Sequence, residues 1–103
     1  MANLFKNYTV SCTDGTQTTA YTVPASTTSV VIGCNVANTT TTQVSVDIKV
    51  AGKFLVKGAP LPANSGLSVL DGKIILEAAD TLTVTSSDSS GNVDAIVSVL
   101  EQT

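Results

Sequence analysis

Residues 43–50, QVSVDIKV, decide the fold, because apolar residues occupy every second position of this stretch. Successive side chains of a β-strand point to opposite faces, so this pattern predicts a strand with one buried and one wet face. The apolar side chains would share the buried face: Val44, Val46, Ile48 and Val50. The intervening polar residues would face water.

Similar alternation recurs along most of the chain, and no stretch shows a sustained helical period of 3.6 residues. It predicts eight further strands, at residues 8–12, 19–23, 28–38, 53–57, 67–70, 73–76, 81–86 and 93–100. Asp71-Gly72 stands between two of these runs, and Asp-Gly is preferred in two-residue type I′ turns, so a hairpin is expected there. The prolines of residues 58–66 indicate a corner.

Short strands at regular spacing predict an all-β protein, a single antiparallel β-sandwich of Ig-like or jelly-roll-like form with about eight to nine strands. A chain of 103 residues is expected to form one domain, burying about 65% of the surface that its unfolded form exposes. We place the sandwich at residues 8–103 and an N-terminal arm at residues 1–7.

Composition excludes several classes of partner. Charged residues make up 13% of the chain, the net charge is −3, and the sequence contains neither Arg nor His. Five lysines cannot neutralise a run of phosphates, and no guanidinium is present to read a base, so no nucleic-acid partner is expected. Apolar runs are shorter than the roughly 18 residues of a membrane span, so we expect no membrane partner.

The start of the chain shows no apolar core of a signal peptide, so synthesis in a reducing cytoplasm is expected. Cys12 and Cys34 then fit small buried hydrophobes better than a disulfide. Cys34 shares its parity with Val30, Ile32 and Val36, and all are expected to face inward.

Two groups of acids are candidates for a chemical site. Glu77 and Asp80 could serve a glycosidase only within a cleft that holds one acid at a raised pKa. Nothing in the sequence supplies that cleft, so a turn in which Asp80 bonds backbone amides is preferred.

Asp88 and Asp94 flank a polar loop that could hold a weak structural ion, although an EF-hand would need Glu where Val99 stands. Without His as a base, no nucleophile is indicated. The chain is predicted to be no enzyme and to need no cofactor.

Some apolar residues fall on the face opposite the predicted core. Val31, Ile75 and Ile96 lie at such positions, and Leu4 and Phe5 lie in the expected arm. Sheet faces that are apolar on the outside are usually covered by another element or subunit. These five residues are the candidate interaction residues.

The arrangement of strands and turn motifs resembles that of a widespread group of small phage virion proteins, over nearly the whole chain. The resemblance lies in YTVPASTTSVVIGCNVANTT (21–40), VSVDIKV (44–50), FLVKGAPLPANSGLSVLDGKIILEAADTLTVTSS (54–87) and VDAIVSVLE (93–101). Pro24-Ala25 precedes a long strand that ends in Asn38-Thr39, and Asp80 follows a hairpin. Ala79 departs from the group, which usually has Gly before that acid.

The resemblance implies a capsid decoration, or cement, protein on the surface of the virion, with the major capsid protein as its partner. A homotrimer is one arrangement it suggests. The alternative is a module of the tail, neck or fibre that binds host carbohydrate, although exposed aromatic platforms for a sugar are scarce here. A bacterial adhesin or surface-layer repeat would instead show a signal sequence and tandem copies.

Overall fold

The computed structural model describes residues 3–69 and 73–103, and every regular element there is a β-strand. The strands are β1 Asn3–Cys12, β2 Thr18–Thr22, β3 Thr28–Asn38, β4 Val44–Val50, β5 Lys53–Leu61, β6 Gly66–Ser68, β7 Ile74–Leu76, β8 Thr81–Ser86 and β9 Val93–Gln102. Each segment predicted from alternation contributes a strand, so the all-β prediction is confirmed. The described part of the chain contains no helix that could cross a membrane.

The strands form two antiparallel sheets packed face to face. Sheet A has the order β1-β9-β3-β6, with β7 also paired to β3, and sheet B has the order β2-β8-β4-β5. Pairing is nested along the chain: β1 with β9, β2 with β8, β3 with β6 and β7, and β4 with β5. Such nesting is a long hairpin rolled into two sheets, and of the two predicted architectures it matches the jelly roll.

The core between the sheets consists of aliphatic side chains of modest size. Ile48 of β4 and Leu82 of β8 face Val97 and Val99 of β9, and all four are fully buried. Burial of each such side chain stabilises the fold by about 1.5–3 kcal/mol. The residues that alternate with these core residues along each strand lie on the outer faces, as the period of two requires.

The described part of the segment predicted as an arm, residues 3–7, is the first half of β1. Residues 3–7 pair with β9 in continuous register, from Asn3 opposite Gln102 to Asn7 opposite Ser98. A domain boundary at residue 7 is therefore wrong. The reason is that β9 extends to Gln102, and its backbone donors and acceptors need a partner along that whole length.

The predicted hairpin between β6 and β7 is also wrong. β6 pairs with residues 35–37 of β3 and β7 with residues 29–31, both in the antiparallel sense. Two strands antiparallel to the same strand run in the same direction, so β6 and β7 lie in line and cannot form a hairpin. Asp71 and Gly72 themselves lie outside the described residues. The 11-residue β3 is long enough to pair with both strands.

β5 continues to Leu61, beyond its predicted end at residue 57. Register shifts on either side of Ile48 interrupt its pairing with β4. Because β5 is an edge strand, Pro60 can sit in it without removing a ladder bond from the sheet interior. The predicted corner therefore begins at Pro62.

Candidate interaction surface

The outer face of sheet A carries apolar side chains in a row that crosses β1, β9, β3 and β7. Directly opposed residues of antiparallel strands have their side chains on the same face, so the register defines this row. Phe5 lies opposite Leu100, Leu100 opposite Val30, and Val30 opposite Ile75. Phe5 and Ile75, at the two ends, are 76% and 68% exposed. We call these four residues the apolar row.

Two more exposed apolar residues lie on this face, Ile96 of β9 and Ile32 of β3. Open depressions of about 410 and 490 Å³ flank Ile96 on its two sides. At the outward positions of the described strands of sheet A, Asp94 is the single charged residue, and it accepts a hydrogen bond from Ser11 Oγ (2.7 Å). Exposed apolar residues on a face with so little charge are typical of an interaction surface.

Val31 is not part of this face, contrary to prediction. It is completely buried, whereas the next residue, Ile32, is 43% exposed. The register of β3 against β9 shifts between Val31 and Gly33, and this β-bulge reverses the inward parity along the strand. Strict alternation through Cys34 placed Ile32 inside and Val31 outside, and both predictions are wrong. Val30 was also expected to face inward and lies in the apolar row instead.

Leu4 faces away from Phe5, so the five predicted interaction residues do not form one surface. Leu4 lies opposite Glu101, whose side chain is buried between the sheets, and is therefore on the inner side of β1. It is 47% exposed at the end of the sandwich. Phe5, Ile75 and Ile96 share the outer face of sheet A.

The outer face of sheet B has a different chemistry. Asp47 and Lys49 of β4 lie opposite threonines of β8 on this face. The exposed ring of Phe54 is opposite Lys49, and the ammonium groups of Lys49 and Lys57 lie 4.9 and 5.1 Å from its centroid. A cation over the face of an aromatic ring makes a favourable contact. The exposed ring of Phe54 is therefore paired with hydrated charges.

A buried carboxylate that was not singled out from the sequence, Glu101, lies at one end of the sandwich. Its Oε2 accepts hydrogen bonds from the hydroxyls of Tyr8 (2.9 Å) and Tyr21 (2.7 Å), and its Oε1 lies 3.4 Å from Lys6 Nζ. Tyr21 also shares a short hydrogen bond with Ser29. The sequence could have identified this residue, because the alternation of β9 places Glu101 at an inward-facing position.

The hydrogen bonds of this cluster decide its protonation. The bond from Tyr21 is the main cause that holds the pKa of Glu101 below its ordinary value, against the opposing effect of burial. Burial raises the pKa of Tyr21 to about 12. An ionised acid and neutral phenols therefore coexist at neutral pH. Because β1, β2 and β9 each contribute a side chain, the cluster ties the ends of both sheets together.

The two thiols are buried and unpaired, as predicted. Burial raises the pKa of Cys12, and it raises the pKa of Cys34 to about 11. The thiolate is the form that attacks electrophiles and binds metals, so the fold suppresses both reactions.

Glu77 and Asp80 belong to the turn between β7 and β8. The Glu77 N–H donates to Asp80 Oδ2, and the Asp80 N–H donates to the Glu77 carbonyl, both at 3.0 Å. Ala79 between them has a φ of +72°, the left-handed conformation for which Gly is the usual residue. The carboxylate of Asp80 thus holds its own turn.

Asp88 and Asp94 are engaged separately. Asp88 accepts hydrogen bonds from the Ser90 N–H (2.9 Å) and from Asn92 Nδ2 (2.8 Å), and these bonds, led by that from Ser90, lower its pKa. Asp94 is bonded to Ser11 instead. Within residues 3–69 and 73–103, no three or more His, Cys, Asp or Glu side chains are grouped to hold a metal ion.

Comparison with known proteins adds little to these surfaces. No protein-family model matches the chain, and no curated protein matches it. One similar solved structure is that of Bacillus endospore appendages, described as a novel family of disulfide-linked pili. It is 17% identical, with 99% of this chain and 85% of that chain covered and a TM-score of 0.44. A likeness of this size carries no argument about function.

Proposed function

We propose that this chain is a non-enzymatic structural protein of a bacteriophage virion, which docks on the capsid shell through the outer face of sheet A. The place in a virion rests on the resemblance of the strands and turns to small phage virion proteins. The docking face is supported by one observation, the apolar row on a sheet face whose outward strand positions carry a single charge.

The two outer faces suit such a protein in opposite ways. Contact with the shell would remove the ends of the apolar row, Phe5 and Ile75, from water, at about 25 cal/mol per Å² of apolar area. The face with Asp47, Lys49 and Lys57 would remain hydrated on the outside of the particle. Many copies would add their small contact energies and oppose expansion of the shell mechanically, without chemistry.

A carbohydrate-binding tail, neck or fibre module would need an aromatic ring free to stack on a sugar. Tyr8 and Tyr21 are bonded to Glu101, and Phe54 lies under two lysines. Phe5 belongs to the apolar row. The geometry therefore favours docking on protein over sugar binding.

The number of copies per particle tests the place in the virion. We expect quantitative mass spectrometry of purified particles of the source phage to find this chain at a ratio near that of the major capsid protein, or at one per capsomer vertex. A handful of copies would move the protein to the neck or tail, and its absence would overturn the proposal.

A matched pair of variants tests the docking face. Ile75→Asp and Phe54→Asp place the same charge at exposed positions on the outer faces of sheets A and B. Both should remain folded, because an exposed position tolerates a charge. In a co-sedimentation assay with shells that lack this protein, Ile75→Asp should lose binding at least about tenfold, since it buries a charge in an apolar contact. Loss of binding in Phe54→Asp alone would assign docking to sheet B.

A further inference from the structure

The first half of β1 is an edge strand without the usual protection. β1 has ten residues, pairs with β9 without a register shift, and contains no proline. On one edge its alternate N–H and C=O groups point away from sheet A, and such groups are a template for another strand. All of residues 3–7 are exposed.

The other edges of the two sheets are protected. β2 has five residues and a register shift, and β6 and β7 have three residues each. β5 has two register shifts and contains Pro60. Short strands, bulges, proline and charged side chains are the devices by which proteins prevent pairing at an edge. Among the described strands, β1 is the long, regular exception.

The one charge on β1 does not oppose pairing. Lys6 Nζ lies 3.4 Å from Glu101 Oε1 of the same chain. A strand docking beside β1 would therefore meet a cation whose counter-ion is already in place, rather than a free charge.

We infer that residues 3–7 of β1 pair antiparallel with the same residues of a second copy, about a two-fold axis through Phe5, and join the two A sheets into one. Opposed residues must point to the same face, so the axis has to pass through a residue and not between two. An axis at Phe5 places Phe5 opposite its copy, Leu4 opposite Lys6, and Asn3 opposite Asn7.

This register is the one that extends the apolar row. The two Phe5 rings meet on the outer face, so the row of each copy continues into the other: Ile75, Val30, Leu100 and Phe5, followed by the same residues in reverse. Aromatic side chains that lie opposite each other across antiparallel strands attract one another. An axis at Lys6 would instead oppose two cations. A two-fold contact closes at two copies, so the arrangement is a dimer and not the trimer suggested by the resemblance.

Sedimentation of the free protein tests this inference without a virion, so its failure is distinguishable from failure of the proposed function. At about 0.5 mM, a concentration suited to small interfaces, we expect a dimer that dissociates on dilution. Phe5→Lys should be monomeric, because it opposes two cations. The control Ile75→Lys, at the far end of the row, should still dimerise. A wild-type monomer or trimer, or a dimeric Phe5→Lys protein, would overturn the inference.

Disulfide trapping tests the register. Phe5→Cys should form a disulfide-linked dimer under mild oxidation, whereas the control Phe54→Cys, at another exposed aromatic position, should not. Asn3→Cys and Asn7→Cys should each form no disulfide-linked dimer alone and should cross-link when mixed, because the register opposes position 3 with position 7. Equal cross-linking of Phe5→Cys and Phe54→Cys, or no gain on mixing, would contradict the proposed pairing.

Discussion

The outer faces of the two sheets are built from the same alternation and differ in what they expose. Sheet B presents Asp47, Lys49 and Lys57, with the ring of Phe54 beneath two ammonium groups. Sheet A presents the apolar row, and Asp94 is the single charge at its outward described positions. One face is suited to permanent contact with water and the other to contact with protein.

The difference shows what binary patterning does and does not decide. Period-two alternation separates inner from outer side chains, and it separates them on both sheets. It does not require the outer residues to be charged, because Thr, Ser and Asn already satisfy a wet strand face. The extra apolar residues of sheet A are therefore not needed for folding, which leaves them available for binding.

The largest loss of stability is expected at the bulge of β3, where neighbouring residues point to opposite faces of sheet A. Val31→Asp places a charge in the core and should cost about 4 kcal/mol or more, enough to unfold many domains of this size. Ile32→Asp, one residue further, should cost at most about 1 kcal/mol, since its side chain is 43% exposed. Urea denaturation measures both. If both variants lose the same free energy of unfolding, Ile32 does not lie on the outer face and the bulge does not explain the exposure of these residues.

An intermediate effect is expected at Glu101, the carboxylate that sheet A holds on its inner face. At pH 7, Glu101→Gln should cost about 1–3 kcal/mol, because it removes a hydrogen-bonded charge. The pKa of Glu101 is lowered in the folded state from its ordinary value of 4.5. Its stabilisation is therefore complete above that value and is lost as the pH falls through the folded-state pKa.

The difference in unfolding free energy between wild type and Glu101→Gln should accordingly narrow below about pH 4.5. Tyr21→Phe removes the main cause of the lowered pKa, so the loss of stability on acidification should be smaller in this variant and should be complete at a higher pH. Denaturant titrations from pH 7 to pH 3 measure both effects. A difference that stays constant with pH would mean that Glu101 does not titrate as its contacts require.

The smallest effect is expected at the turn that carries the chain from sheet A to sheet B. Ala79→Gly should stabilise the protein by about 0.5 kcal/mol, because Gly adopts a positive φ without the steric cost that Ala incurs. The matched control Ala78→Gly should destabilise it by about 0.5–1 kcal/mol, since φ of Ala78 is not positive. Thermal unfolding compares them. Stabilisation by both substitutions would mean that the positive φ of Ala79 is not the cause of the gain.

Local alternation was sufficient to find the strands but not their neighbours. The nine strand positions follow from the sequence because each strand buries one face. Asp71-Gly72 carried a strong local turn signal, yet β6 and β7 both pair with β3, because a long strand offers more pairing than a short hairpin. Likewise, residues 3–7 lack clear alternation and become a strand only because β9 extends beside them.

The interaction surface was predictable in part for the same reason. Ile75 and Ile96 were identified as outward apolar residues, and they are exposed. Val31 and Ile32 exchanged places because a bulge shifts the parity, and Gly33, which signals a bulge, does not by itself specify where the shift falls. Leu4 and Phe5 are adjacent in sequence and point to opposite faces, which only their pairing with β9 reveals.

The sequence by itself determined that this protein is an all-β sandwich with a thin aliphatic core and little charge, because composition and alternation act residue by residue. Only the tertiary structure decided that Phe5, Leu100, Val30 and Ile75 form one row and that Tyr8 and Tyr21 hold Glu101. These residues lie far apart in the chain. Their juxtaposition depends on which strands become neighbours and in which register, and that is settled by packing of the whole sandwich.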